Sequence, residues 1–111
     1  MRVIFLAVFA TLAPLAPALA HDTAADPALH CAALITLSGQ ILADDGQASE
    51  SDLAQVRKIA KIMLQHSTLP GNQRADALRA YAAQYRKTHS VEEISQDVQR
   101  EGDGCIAKFV I

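Results

Sequence analysis

The sequence predicts an all-α protein: a small antiparallel bundle of about four helices with one disulfide, preceded by a cleaved signal peptide. Apolar residues recur at spacings of three and four in four segments that short turns separate, as in amphipathic helices. The period-2 alternation of strands is absent outside a short C-terminal segment. The chain of 111 residues also holds two cysteines, which suits a small exported domain.

The first twenty residues predict an export signal. Arg2 supplies the positive charge, residues 3–12 form the apolar run, and Ala18-Leu19-Ala20 is a small-x-small cleavage site. Two prolines behind the run, and no basic flank after it, favour a cleaved signal over a membrane anchor. We therefore expect a mature chain, residues 21–111, that forms a single helical domain. It would be periplasmic or secreted and free of the membrane.

The first two helices begin at residues typical of helix caps. Asp26 is the expected N-cap of the first helix, with Pro27 at its first position, and the helix should stop near Asp44-Asp45-Gly46. Ser49 is the expected cap of the second helix, which Leu69-Pro70-Gly71 ends. One apolar face is predicted along each helix: Cys31, Leu34, Ile35, Ser38, Ile41 and Leu42 on the first, and Leu53, Val56, Ile59, Ala60 and Met63 on the second.

The third and fourth helices are predicted from the same signals. Asn72 is the expected cap of the third, which runs towards Lys87. Ser90 and Glu93 match a capping box at the start of the fourth. Gly102 and Gly104 should interrupt or end it, which leaves residues 105–111 as a last helical turn or an extended apolar segment. The predicted apolar faces are Leu78, Tyr81, Ala82 and Tyr85 on the third helix, and Val91, Ile94 and Val98 on the fourth.

The two cysteines predict an intramolecular disulfide between Cys31 and Cys105. An even pair in an oxidising compartment normally bonds, and antiparallel first and fourth helices would bring these two together. A reactive thiol is the weaker alternative, because the chain has no C-x-x-C motif.

Composition and missing motifs exclude several classes of function. The net charge of −2 falls to −3 once Arg2 leaves with the first twenty residues, which argues against nucleic-acid binding. No nucleophile elbow, zinc-protease motif, haem site, phosphate loop or dinucleotide fingerprint occurs. Glu92, Glu93 and Asp97 are carboxylates expected on the solvent side of the fourth helix. We expect no enzymatic activity, no catalytic residues and no cofactor.

Three aromatic residues are candidates for binding a partner. Tyr81 and Tyr85 lie one turn apart on the third helix, where they could line a pocket or, the favoured alternative, lie at the core edge with their hydroxyls in water. Phe109 lies in an apolar tail that either packs back on the bundle, the favoured alternative, or docks in the groove of a partner. The acidic residues around Gly46 do not fit a calcium-binding loop, and no metal site is predicted.

The most favoured function is that of a small exported, non-catalytic interaction protein that binds another exported protein through a helical surface. In size, export signal and cysteine count, the chain resembles small exported helical proteins with one disulfide, including periplasmic acid-stress chaperones and immunity proteins of periplasmic toxins. One alternative is accordingly a chaperone-like or apolar-ligand-binding protein. The other is a copper-binding protein that uses His21 at the new N-terminus, with His30 as a second ligand.

Overall fold

The computed structural model describes residues 26–111, and these form four helices without a strand. Helix α1 spans Pro27–Asp44, α2 Glu50–Leu64, α3 Arg74–Thr88 and α4 Val91–Phe109, with a 3-10 turn at Gly71–Gln73 before α3. The all-helical prediction is confirmed for this part of the chain. The predicted signal peptide and its cleavage site lie outside the described residues.

Helix α1 is the centre of the fold, and the other three helices pack mainly against it rather than against one another. Its buried residues point in all directions: Ala28, Leu29, Cys31, Ala32, Ala33, Leu34, Leu37, Gly39 and Ile41. The prediction of one apolar face on this helix is therefore wrong, and Leu42, assigned to that face, is 42% exposed. Buried apolar residues on several sides of one helix are typical of the interior of a domain.

The helices alternate in direction along the chain. Cys31 near the start of α1 bonds to Cys105 near the end of α4, so these two helices run in opposite directions. The end of α2 returns to the start of α1, where Ser67 donates a hydrogen bond to Asp26. Helix α3 runs in the same direction as α1, because His30 meets Tyr81 and Asp44 meets Arg86.

Local capping chemistry fixes most helix ends as the sequence predicts. Asp26 accepts a hydrogen bond from the Leu29 amide at 3.1 Å, and Ser49 and Ser90 both complete capping boxes. Gly46, at φ +72°, ends α1 in a Schellman motif, in which the Gln47 amide donates to the Leu42 carbonyl. The Asn72 cap is wrong: Asn72 lies in the 3-10 turn, and Gln73 precedes α3 without a side-chain cap.

Helix α4 continues through Gly102 and Gly104 to Phe109, so the predicted interruption is wrong. Each glycine weakens a helix by about 1 kcal/mol relative to alanine. The disulfide at Cys105 and the packing of Ile106, Phe109 and Val110 against the core offset that cost. The tail is therefore helical almost to its end and packs back on the bundle. Only its last residue, Ile111, is almost fully exposed.

The predicted Cys31–Cys105 disulfide is present and joins residues whose Cα atoms lie 5.6 Å apart. Both cysteines are buried in a cluster with Ala32, Ala60 and Met63, which joins α1, α2 and α4. A second cluster joins α1 to α3 and α4 and consists of Ala33, Leu37, Ile41, Ala82 and Ile94. The covalent link thus lies inside one half of the core and ties the C-terminal helix to the central one.

Candidate functional site

A groove lies between α2 and α3, because each of these helices packs on α1 and they have few contacts with each other. It consists of two adjoining cavities of about 430 and 420 Å³ that share Thr36, Gln40 and Arg86. Helix α1 forms the floor, α2 one wall and α3 the other. We call it the α2/α3 groove; its lining residues are Thr36, Gly39, Gln40, Ala43 and Asp44 on α1, Leu53, Val56 and Arg57 on α2, and Leu78, Arg79, Ala82, Ala83 and Arg86 on α3.

The floor of the groove consists of small and polar residues, although most residues of α1 are apolar. Thr36 and Gln40 are one turn apart on α1, and Gly39 and Ala43 form a parallel pair of small residues. Thr36 satisfies its hydroxyl by donating to the Ala32 carbonyl at 2.8 Å. Val56 of α2 packs against Gly39, so Thr36, Gln40 and Ala43 form the part of the floor that an occupant would meet.

Arginines line the groove on both sides. Arg86 donates to Asp44 at 2.9 Å and to Gln40 at 3.3 Å, so it reaches from α3 to the floor between the two cavities. Arg79 pairs with Asp76 on its own helix. Arg57, on the opposite wall, makes no ion pair with a described residue, and it is exposed. The groove is therefore apolar along its walls and basic at its rim.

A polar cluster on another side of α1 holds both predicted tyrosines. His30 Nε2 lies 3.0 Å from Glu101 Oε1, and His30 Nδ1 lies 2.6 Å from the Tyr81 hydroxyl. Because a carboxylate only accepts, Nε2 carries the proton, and in the neutral ring Nδ1 accepts from Tyr81. The imidazole is 15% exposed and thus connects α1, α3 and α4 from a largely enclosed position.

Tyr85 extends this cluster by donating a hydrogen bond to Asp97 on α4. Burial of the Tyr85 ring, followed by the bond to Asp97, raises the pKa of its hydroxyl. The same hydrogen bond, assisted by Arg100, lowers the pKa of the Asp97 carboxyl. The carboxylate in turn raises the pKa of Arg100. The group is therefore a chain of charge-assisted hydrogen bonds that holds α3 and α4 together.

These contacts correct two sequence-based expectations. The tyrosine hydroxyls were expected in water, but both bind partners inside the protein. Asp97 was expected on the solvent side of α4, but its side chain is only 13% exposed. The errors arise because Tyr81 meets His30 of α1 and Tyr85 meets Asp97 of α4, contacts that the periodicity of one helix alone does not show. Partner binding by Tyr81 and Tyr85 stays a prediction, and the groove lies elsewhere.

Phe109 packs partly buried against the disulfide cluster, and its ring lies 5.5 Å from that of His66. This contact accounts for the apolar tail through folding within the chain. A role of Phe109 as an anchor for a partner stays a prediction.

A buried polar contact fixes the loop between α2 and α3. Asp26 and Ser67 are both buried, and the Ser67 hydroxyl donates to Asp26 Oδ2 at 2.6 Å. Arg74 then donates to the Leu69 and Ser67 carbonyls at 2.8 and 3.2 Å. The loop between α2 and α3 therefore has a defined path and is fixed to the start of α1.

The residues weighed for metal binding are not gathered in the described part of the chain. His21 lies outside the described residues, and His30 is engaged by Tyr81 and Glu101. Asp52 belongs to a capping box, and Asp44 pairs with Arg86. Within residues 26–111, no three His, Cys, Asp or Glu side chains lie together as a metal site would need. Copper binding by His21 stays a prediction.

Comparison with known proteins gives no relative: no protein-family description, curated protein or solved structure matches the chain. None of the helices described is both long and apolar enough to cross a membrane.

Sequence reasoning did not find the α2/α3 groove. A signal was present: Thr36, Gly39, Gln40 and Ala43 interrupt an otherwise apolar helix with polar and small residues, all within two turns. Such a stripe on a central helix marks a side that no neighbouring helix covers. It points to an opening only once the helix is known to be central.

Proposed function

We propose that the mature chain is an exported, non-catalytic interaction protein that binds another exported protein in the α2/α3 groove. The observation that carries this proposal is the separation of α2 and α3 above the small floor of α1. The separation leaves Thr36, Gln40 and Ala43 of the central helix open between the two walls. A helix inserted there would occupy the place that a fifth helix of the bundle would take.

The chemistry of the walls suits a protein occupant. Leu53 and Val56 on α2 face Leu78 and the two alanines of α3 across the groove. Apolar side chains with small neighbours permit close approach of a second helix, as in helix-in-groove recognition. The ring of arginines around this apolar centre resembles the polar rim that surrounds the core of protein interfaces.

Export is supported by the disulfide. Bonds of this kind persist in oxidising compartments and are rare in the cytosol, so a buried disulfide in a small domain fits a periplasmic or secreted location. A partner available to the protein would then be exported as well.

Site-specific photo-crosslinking in the producing cell tests this function. A photoreactive amino acid at Ala83, which lines the groove, should yield a discrete adduct with one exported protein. The same amino acid at Ala80 is the matched control, because Ala80 is exposed on the same helix but lines neither cavity. Leu53→Arg, which would place a charge on the opposite wall, should abolish the Ala83 adduct.

Identical adducts from both positions, or no adduct from Ala83, would contradict the proposal. Circular dichroism of the Leu53→Arg protein must show native helicity for the loss of the adduct to count. Half-buried Leu53 is suitable for this purpose, since it lies on the rim side of α2 and not in either core cluster.

A further inference from the structure

We infer that the segment bound in the α2/α3 groove is an acidic helix, whose carboxylates pair with the groove arginines while its apolar or small face meets the floor. This inference rests on the proposed function and adds the chemical class of the partner. The juxtaposition that carries it is a basic rim around a groove with apolar walls.

The charge of the groove differs in sign from that of the chain. Among its lining residues, Arg57, Arg79 and Arg86 are basic and Asp44 is the one acid. With Asp76, which pairs with Arg79, three positive charges stand against two negative ones, so the groove carries a net charge of +1, whereas the whole chain carries −2. A positive cleft in an acidic protein attracts a negative ligand and disfavours a positive one.

The arginines are available to a partner at little cost. The pair between Arg86 and Asp44 is exposed, with side-chain exposures of 40% and 64%, and Arg79 and Asp76 are still more exposed. Exposed pairs of this kind contribute little and exchange readily with other carboxylates. Arg57 has no carboxylate to release among the described residues.

Asp44 occupies a position that a carboxylate of the partner would compete for. It is the last residue of α1 and reaches Arg86 from one end of the groove. Arg86 also contacts Gln40 on the floor, so its guanidinium is held between the two cavities and faces whatever enters them. An acidic residue near the middle of a bound helix would thus meet Arg86, and residues nearer the walls would meet Arg57 and Arg79.

A nuclear magnetic resonance titration of the purified mature chain tests the inference. The probes are three synthetic helical peptides that share one alanine–leucine face and differ only in flanking residues, which are Glu, Gln or Lys. The Glu peptide should shift the amide signals of Thr36, Gly39 and Ala83. It should bind about tenfold more tightly than the Gln peptide, if each of three arginines contributes roughly 0.5 kcal/mol. High salt should reduce the ratio of the affinities for the Glu and Gln peptides, and the Lys peptide should not bind.

Two substitutions assign the selectivity to the groove. Arg57→Glu should lower the affinity for the Glu peptide and raise the affinity for the Lys peptide. Lys58→Glu should change neither affinity by more than about twofold. Lys58 is the matched control, being the next residue of α2, exposed, and outside the groove lining. Asp44→Asn should raise the affinity for the Glu peptide about twofold, because it removes the internal competitor for Arg86.

The outcomes separate the two proposals. Equal affinity for all three peptides, or equal effects of Arg57→Glu and Lys58→Glu, would overturn the acidic partner while Ala83 crosslinking still supports the groove. Failure of the Glu peptide to shift groove signals at millimolar concentration would also overturn the inference. Failure of the proposed function itself would show in the crosslinking experiment, as identical adducts from Ala83 and Ala80.

Discussion

The close contact between α1 and α2 at Gly39 gives a testable prediction about this residue. An ideal Cβ at this position would lie 2.9 Å from Val56 Cγ1 and 3.3 Å from Cγ2, so Gly39→Ala forces Val56 to move. Valine has few alternative rotamers in a helix, and overpacking of this kind costs about 1–3 kcal/mol. Replacing a helical glycine by alanine also stabilises the helix by about 1 kcal/mol, because alanine has the higher helix propensity. We expect a net destabilisation of about 1 kcal/mol.

Two other helical glycines provide matched controls. A Cβ at Gly104 would meet no atom within 4 Å, and one at Gly102 would lie 3.9 Å from Val98 Cγ1, an ordinary contact. Both substitutions to alanine should therefore stabilise the protein by about 0.5–1 kcal/mol each through propensity alone. Thermal unfolding followed by circular dichroism should then separate Gly39→Ala from Gly104→Ala by roughly 10 °C, at about 4–8 °C for each kcal/mol in a domain of this size.

A double-mutant cycle identifies the cause. Val56→Ala removes both methyl groups that the new Cβ would meet, so Gly39→Ala should be less destabilising, or even stabilising, when measured in that background. If Gly39→Ala alone stabilises the protein as much as Gly104→Ala does, the described contact between α1 and α2 is refuted, and with it the geometry of the groove floor.

Three further predictions concern the disulfide, the polar cluster and the export signal. Reduction of Cys31–Cys105, or its replacement by a pair of serines, should lower the free energy of unfolding in urea by about 4 kcal/mol for a closed loop of this length, and an unchanged midpoint would refute a stabilising bond. Because the pKa of Asp97 is lowered in the folded state, its contribution to stability is present above its ordinary value of 3.8 and is lost as the pH falls below it. The stability difference between the wild type and Asp97→Asn should thus be larger at about pH 6 than at about pH 3. Intact-mass measurement of the exported protein should give a chain that begins at His21, and a mass that retains the first twenty residues would refute the cleavage site.

Local interactions made much of the fold predictable. The side chains of Asp26, Ser49 and Ser90 cap their helices by accepting hydrogen bonds from amides three residues further along the chain. Gly46 ends α1 because its backbone adopts a positive φ. These interactions depend on near neighbours in the chain, which is why the sequence alone contains them. The disulfide was predictable for a different reason: with two cysteines in the chain, only one intramolecular pair exists.

Interactions between helices were not predictable in the same way. The hydroxyls of Tyr81 and Tyr85 were expected in water, but His30 and Asp97 reach them from other helices. Helix α4 was expected to end at its glycines, but anchoring at Cys105 extends it to Phe109. Periodicity shows which side of a helix is apolar, and it does not show which helix lies opposite.

The helical class, most helix ends and the pairing of the cysteines follow from capping, periodicity and cysteine number, which need no knowledge of distant neighbours. The central position of α1, and the separation of α2 and α3 above it, follow from the packing of the helices in three dimensions. The packing of α2 on α1 involves long-range contacts, such as Asp26 with Ser67 and Gly39 with Val56, whose partners lie far apart in the chain. The groove exists because three helices share one central helix and leave part of it uncovered, a property of their packing and of none of them alone.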